Sequence, residues 1–195
     1  MQQTQLASIL TGGGIAVIPT DTLYGVVAVT RDRAAVARLF RLRRGRAAQK
    51  PFIILIPSVA SLAEFGIKPA PQMKAFLKRV WPGPVSVIFR VLSKKFSYLH
   101  RGRESLAFRL PRNARLRALL AKTGPLVAPS ANPEGAPPAQ TLREARRYFG
   151  DAVDIYVGAG RRLRGAPSTL VSLEGGAVHI LREGAGLSTV LVYAL

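Results

Sequence analysis

The sequence predicts an α/β domain built on one main sheet. Short apolar runs of strand length are interleaved with segments whose apolar residues recur at helical spacing. The chain has 195 residues, 48% of them apolar, enough for one domain with a substantial core. No linker, low-complexity stretch or internal repeat divides it, so residues 1–195 are expected to form a single domain. The alternation is irregular, which argues against a simple Rossmann repeat.

The elements follow in order. Leu6, Ile9 and Leu10 predict a short amphipathic helix, ended by Gly12-Gly13-Gly14. Ile15 to Ile18 is a buried strand stopped by Pro19, and Val26 to Val29 is another. From Asp32 to about Arg43, Val36, Leu39 and Phe40 fall on one helical face with arginines on the others. Phe52 to Ile56 is a continuous apolar strand between Pro51 and Pro57. Val59, Leu62 and Phe65 predict a short helix ending near Gly66; Phe76, Leu77 and Val80 predict one broken by Trp81-Pro-Gly-Pro84. Strands are expected at Val85 to Val91 and Ser105 to Leu110, with Lys94 to Arg103 a basic loop between them. Leu116, Leu119 and Leu120 mark a helix, and Pro125 to Ala128 a short strand. Thr141-Leu-Arg-Glu144 has capping-box spacing, placing a helix to about Phe149. Three more strands are expected around Val153 to Val157, Thr169 to Leu173 and Val178 to Leu181.

Lys plus Arg is 29 against 10 acidic residues, a net charge of +19. Such an excess attracts phosphate-rich partners, RNA included, although a general arginine bias would also produce it. The chain has no cysteine, hence no disulfide, thiolate metal site or cysteine nucleophile, and its two histidines, His100 and His179, lack metal-site spacing. No apolar run approaches the roughly 18 residues of a membrane span, and Met1-Gln-Gln-Thr4 does not open a secretory signal. A soluble cytoplasmic protein without membrane partners is expected.

Neither a P-loop, a well-placed G-x-G-x-x-G nor a G-x-S-x-G elbow is present. Four polar segments stand out instead. Pro19-Thr-Asp-Thr-Leu-Tyr-Gly25 follows a buried strand, where loop hydroxyls can meet a ligand or simply satisfy a turn. Arg44-Gly-Arg46 with Lys50-Pro51 could clamp phosphates bidentately or end a basic helix. Pro129-Ser-Ala-Asn132 offers a hydroxyl and a carboxamide. Ser168-Thr169 opens a strand, with Arg182-Glu-Gly184 downstream; ordinary turn and strand-end chemistry accounts for both equally.

Together and in this order, with Trp81-Pro-Gly-Pro84 and Phe108-Arg-Leu-Pro111 between them, these segments resemble the YrdC-like threonylcarbamoyl-AMP synthases from about Gly13 to Gly184. The resemblance implies a twisted mixed parallel and antiparallel sheet with flanking helices around a concave basic cavity. It implies that L-threonine is carboxylated on nitrogen by bicarbonate and the carbamate adenylated by ATP, releasing pyrophosphate. Magnesium would come with ATP, and the product would feed a threonylcarbamoyl transferase complex acting on tRNA adenosine. By the same resemblance Thr20, Arg109 and Ser168 are expected to hold threonine. Arg44, Arg46, Ser105, Ser130, Asn132 and Arg182 are expected around ATP, and Arg44, Arg46, Ser130 and Asn132 to serve the reaction itself; no metal ligand is expected.

The chain departs from the family pattern at Arg44, usually lysine, at Ala47, usually proline, and at Glu134-Gly135, usually Ser-Gly. The segment before Arg44 is also one residue longer than usual. Two rival readings remain at this point: a non-catalytic relative that binds tRNA or rRNA in the same cavity, and a carbamoyl-transfer domain of the hydrogenase-maturation type.

Overall fold

A computed structural model describes residues 2–43 and 52–194. Its strands are β1 (Ala16–Pro19), β2 (Tyr24–Val29), β3 (Ile53–Leu55), β4 (Val85–Arg90), β5 (Ser105–Arg109), β6 (Leu126–Val127), β7 (Ile155–Tyr156), β8 (Thr169–Glu174) and β9 (Ala177–Arg182). They form one sheet in the order β7-β1-β2-β6-β3-β5-β4-β8-β9. Pairing is mixed: β1–β7, β3–β5 and β4–β8 are parallel, and the other five neighbours are antiparallel. The helices are α1 (Gln2–Thr11), α2 (Arg33–Leu42), α3 (Pro71–Val80), α4 (Ser97–His100), α5 (Ala114–Thr123), α6 (Leu142–Phe149) and α7 (Leu187–Ala194), with a 3-10 helix at Val59–Phe65.

The helix starts are set by local chemistry. Asp32 and Asn113 cap α2 and α5 by accepting from the N–H groups of Ala35 and Leu116 at 2.9 and 3.0 Å. At α6 the Thr141 hydroxyl accepts from Glu144 N, while the Glu144 carboxylate reaches back to Gln140 N at 2.7 Å. The reciprocal bond of the capping box therefore lands one residue before the cap. The Gln140 N–H above all, helped by the Arg162 charge and against the effect of burial, holds the Glu144 carboxyl below its ordinary range.

One expectation is corrected and one element is new. Lys94 to Arg103 is not an open loop but a 3-10 turn followed by α4, because Leu99 is buried in the core and the Tyr98 hydroxyl donates to Thr30 O at 2.6 Å. The helix α7 was not anticipated: residues 187–194 carry no charge, so no polar face outlines a period, yet Val190 is fully buried.

The sheet divides into two halves by how it is covered. Around β1, β2 and β6 both faces are packed, which is why β2 is buried at every residue. Leu6, Leu10, Leu116, Leu119 and Leu120 of α1 and α5 cover Val27, Val29 and Leu126 on one side. Leu39 and Phe149 of α2 and α6 cover Tyr24, Val26 and Ala28 on the other. In the β5-β4-β8-β9 half only one face is packed. Leu106 and Phe108 of β5, Val85, Val87 and Phe89 of β4, and Val171 of β8 meet α3, α7 and the 3-10 helix. The period of two then sends Ser105 and Arg109, Ser86 and Ile88, and Leu170 to the opposite face, where no helix of the same kind lies.

The end of β9 is bent toward this face. Leu170 pairs with Arg182 but Val171 pairs with Ile180, leaving Leu181 as an extra residue. Such a bulge re-aims the strand end. Two residues on, Gly184 lies against the backbone of Pro167, Ser168 and Thr169, so closely that a Cβ would overlap all three.

Two stability measurements check this account. Phe108 sits between the rings of Phe65 and Phe89, at centroid distances of 4.9 and 5.9 Å; Phe108→Ala is expected to lower the unfolding free energy in urea by about 3–5 kcal/mol. Gly184→Ala, whose methyl group meets rigid backbone, is expected to cost about 1–3 kcal/mol in the same titration.

Candidate active site

The uncovered face forms the floor of a cavity of about 760 Å³. Ile88, Ser105 and Leu170 line it from the sheet, Ser130 and Asn132 from the segment after β6, and Arg182 from β9. A smaller pocket of about 70 Å³ adjoins it and shares Ile53, Pro129, Ser130 and Arg182.

Thr20, Arg109 and Ser168, separated widely in sequence, all line the small pocket. Arg109 is 3% exposed. Its Nη2 pairs with Asp21 Oδ1 at 3.1 Å and its Nη1 donates to the Thr22 hydroxyl at 3.0 Å. Burial pulls its pKa below the ordinary arginine value, Asp21 pulls it back up, and the Arg182 charge pushes it down again. The guanidinium nonetheless stays charged. Its Nε–H is buried with no hydrogen-bond partner among the described residues.

The 19–25 segment is a built turn and a site wall together. The Thr20 hydroxyl donates to Leu23 O at 2.6 Å and accepts from the N–H groups of Thr22 and Leu23. Asp21 accepts from Arg112 N and Thr22 receives Arg109. Thr20 therefore shapes the turn, while Asp21 and Thr22 fix the buried arginine. Gly165 allows the later loop to close on this turn, since a Cβ there would run into the Thr22 carbonyl.

Ser168 is held from two sides. Its Oγ lies 2.8 Å from Ser86 Oγ, and Arg182 Nη2 donates to Ser168 O at 2.7 Å and to its Oγ at 3.2 Å. The bulge at Leu181 and the close approach of Gly184 bring the end of β9 against Ser168. Partial burial lowers the Arg182 pKa from its ordinary value.

Ser105, Ser130, Asn132 and Arg182 come together around the large cavity. Asn132 Nδ2 donates to Pro133 O and Ala136 O, both at 2.8 Å, which curls the 133–138 loop along the cavity wall. Its Oδ1 is buried without a partner among the described residues. Arg44 and Arg46, with Lys50 and Pro51, lie outside the described residues.

Sequence reading missed Arg43, Arg101 and Arg103, which also line the cavity. Arg43 ends α2 and donates from Nε to Asn132 O at 3.1 Å; burial lowers its pKa while Glu134 raises it. Arg101 lies 4.6 Å over the Phe40 ring. With Arg182 these make four arginines against one carboxylate, Glu134, among the described lining residues. The arginine-rich sequence hid them, since nothing local separates a cavity arginine from a solvated one.

The chain is similar to known proteins over most of its length. The Sua5/YciO/YrdC family, described under the heading of telomere recombination, matches residues 8–184. A threonylcarbamoyl-AMP synthase of Thiobacillus denitrificans is 35% identical over 178 residues, covering 90% of this chain and 93% of the relative. A solution structure from Methanobacterium thermoautotrophicum superposes with a TM-score of 0.73 at 34% identity, covering 93% of this chain and 86% of the other. The crystal structure of P. abyssi Sua5 complexed with L-threonine superposes with a TM-score of 0.82 at 27% identity and covers 94% of this chain. This chain spans only 54% of that protein's length. The matched span carries the turn around Asp21, the buried Arg109 and the Ser168–Arg182 clasp, and the chain belongs to the Sua5/YciO/YrdC family.

Proposed function

We propose that this chain is an L-threonylcarbamoyladenylate synthase, a nucleotidyltransferase that joins L-threonine, bicarbonate and ATP. The observation that carries the reading is the meeting of Thr20, Arg109 and Ser168 in one small pocket that opens beside an arginine-lined cavity. A relative of 35% identity over nine-tenths of the chain bears the same activity in its name.

The chemistry follows from the donors present. The Arg109 guanidinium, already oriented by Asp21 and Thr22, binds the threonine carboxylate through its remaining N–H groups. That leaves the amino group to attack bicarbonate, giving the N-carboxylate and water. A carbamate oxygen then attacks the α-phosphorus of ATP, and pyrophosphate departs from the opposite side. Ser130 and Arg182, shared by both spaces, stand at the junction where carbamate and α-phosphate would meet. Ser105 and Asn132 hold the nucleotide, and Arg44 and Arg46 neutralise its phosphates. No side chain forms a covalent intermediate; holding the carbamate against the phosphorus in a cationic, partly dry site supplies the acceleration.

Magnesium would ride on the ATP phosphates and add charge neutralisation there. Among the described residues no three His, Cys, Asp or Glu side chains come together as a metal site, and Glu134 is the carboxylate of the described cavity wall. This donor set fits an ion held chiefly by phosphate oxygens. The product would pass to a threonylcarbamoyl transferase complex acting on tRNA adenosine, in the cytoplasm. The +19 charge and the exposed Arg143, Arg146 and Arg147 of α6 favour contact with tRNA or another structured RNA as well. No helix among the described residues is long and apolar enough to cross a membrane.

Pyrophosphate release from ATP by the purified protein is expected to require both L-threonine and bicarbonate. Folded protein that releases none under any combination, yet binds RNA in a salt-sensitive way, would replace this reading with that of a non-catalytic RNA-binding relative. Arg109→Lys keeps the charge opposite Asp21 but loses the planar fork; it is expected to raise the KM for threonine about tenfold or more and leave that for ATP within about twofold.

A further inference from the structure

His100 is the one histidine of the described cavity wall, and it sits in an unusual setting. It ends α4 and is 7% exposed. Its Nδ1 accepts a hydrogen bond from the backbone N–H of Glu104 at 3.3 Å. In a neutral imidazole that bond places the proton on Nε2. Nε2 is buried and has no hydrogen-bond partner among the described residues. A buried donor of this kind is rare in a folded protein unless something else satisfies it.

The backbone around the ring is bent to hold it. Arg101 and Glu104, neither of them glycine, stand at φ 51°, and Gly102 between them at φ 84°. Left-handed non-glycine residues persist only where surrounding bonds impose them. Here Arg101 N bonds to Ser97 O at 2.7 Å, Arg103 N to His100 O at 3.0 Å, and Val91 N to Glu104 O at 2.7 Å. The strained bend returns the chain to Ser105 with the Glu104 N–H on the imidazole. Its other products are Arg101 and Arg103, which line the same cavity.

We propose that His100 positions the nucleotide, its Nε2–H donating to an oxygen of the β,γ-phosphate chain that leaves as pyrophosphate. The argument is one of chemistry and place. A fixed N–H donor, flanked by two cavity arginines and followed by the Ser105 hydroxyl, matches an anionic acceptor with several oxygens better than it matches an amino acid, which Arg109 and Ser168 receive elsewhere. His100 acts as a hydrogen-bond donor only; no proton or bond is exchanged with it. The inference deepens the synthase reading and rests on it for the identity of the nucleotide, but binding tests it without turnover.

The variants are His100→Phe, which keeps a ring and removes both nitrogens, and His100→Gln, which can return an N–H near the Nε2 position. Calorimetric binding of inorganic pyrophosphate and of ATP is measured at fixed ionic strength, alongside KM values for ATP and threonine. His100→Phe is expected to weaken pyrophosphate and ATP binding about tenfold or more while the threonine KM stays within about twofold. His100→Gln is expected to recover most of that loss. Unchanged pyrophosphate binding in folded His100→Phe overturns the proposal, as does an equal loss for threonine and ATP. Should His100→Phe not fold, failure of His100→Gln to bind pyrophosphate better than His100→Leu overturns it. Wild-type protein that binds pyrophosphate through His100 but shows no threonine-dependent turnover leaves this inference standing and removes the synthase reading instead.

Discussion

A permanently charged guanidinium, that of Arg109, is buried where three distant segments of the chain meet, and it constrains the rest of the site. Removing such a group from water costs several kcal/mol unless a charge and hydrogen bonds replace the solvent. Asp21 supplies the charge and Thr22 the acceptor. Both belong to the turn that joins β1 to β2, so that turn must sit over the end of β5. Asp21 also takes the N–H of Arg112, tying the turn to the chain beyond β5. The donors that remain on the guanidinium are therefore set before any ligand arrives, which is what electrostatic preorganisation requires.

The shape of the cavity is a consequence of uneven helix cover. Around β2 both faces of the sheet are buried beneath helices, and that half is a packed core. Around β5, β4 and β8 the cover lies on one side only. The alternate residues of those strands would otherwise be solvated, and they include serines and an arginine where a surface strand would carry arbitrary polar residues. Arginines reach this face from four separate elements of the chain: the end of α2, the bend after α4, β5 and β9. Arg43 and Arg182 are oriented by backbone carbonyls, Arg101 by an aromatic ring and Arg109 by a carboxylate. The high overall charge is thus partly organised and partly solvated, as on α6, and only position in the fold separates the two.

The same hydrogen bond can build a turn and a site. Thr20 makes four contacts within residues 20–23, so its side chain is a structural element of the turn. By shaping the loop it exposes the pocket wall that it also lines. Ser168 shows the converse: its backbone carbonyl and hydroxyl are both held by Arg182, and the glycine that lets the chain pass so close lies two residues beyond that arginine. Structural and functional readings of these polar segments were alternatives in the sequence; in the folded chain they are aspects of one arrangement.

Most of the fold was legible because its signals are local. Period-two and period-3.6 apolar patterns, one capping-box motif and glycine or proline stops placed nearly every strand and helix within a few residues. The order of short motifs was enough to point to the family. What the sequence could not carry was any relation lacking a local signal. The uncharged helix α7 has no polar face to outline it, and the turn α4 is stabilised by burial of Leu99 and by a bond from Tyr98 to Thr30. The roles of Asp21, Thr22 and Ser86 depend on partners more than 80 residues away. Arg43, Arg101 and Arg103 are chemically identical to the solvated arginines of α6 until the sheet leaves one face open beside them. Residue type and spacing determined the elements and the available chemistry; tertiary structure alone decided which donors are buried, what each is paired with and which are left facing a ligand, because desolvation and pairing arise only when distant segments pack together.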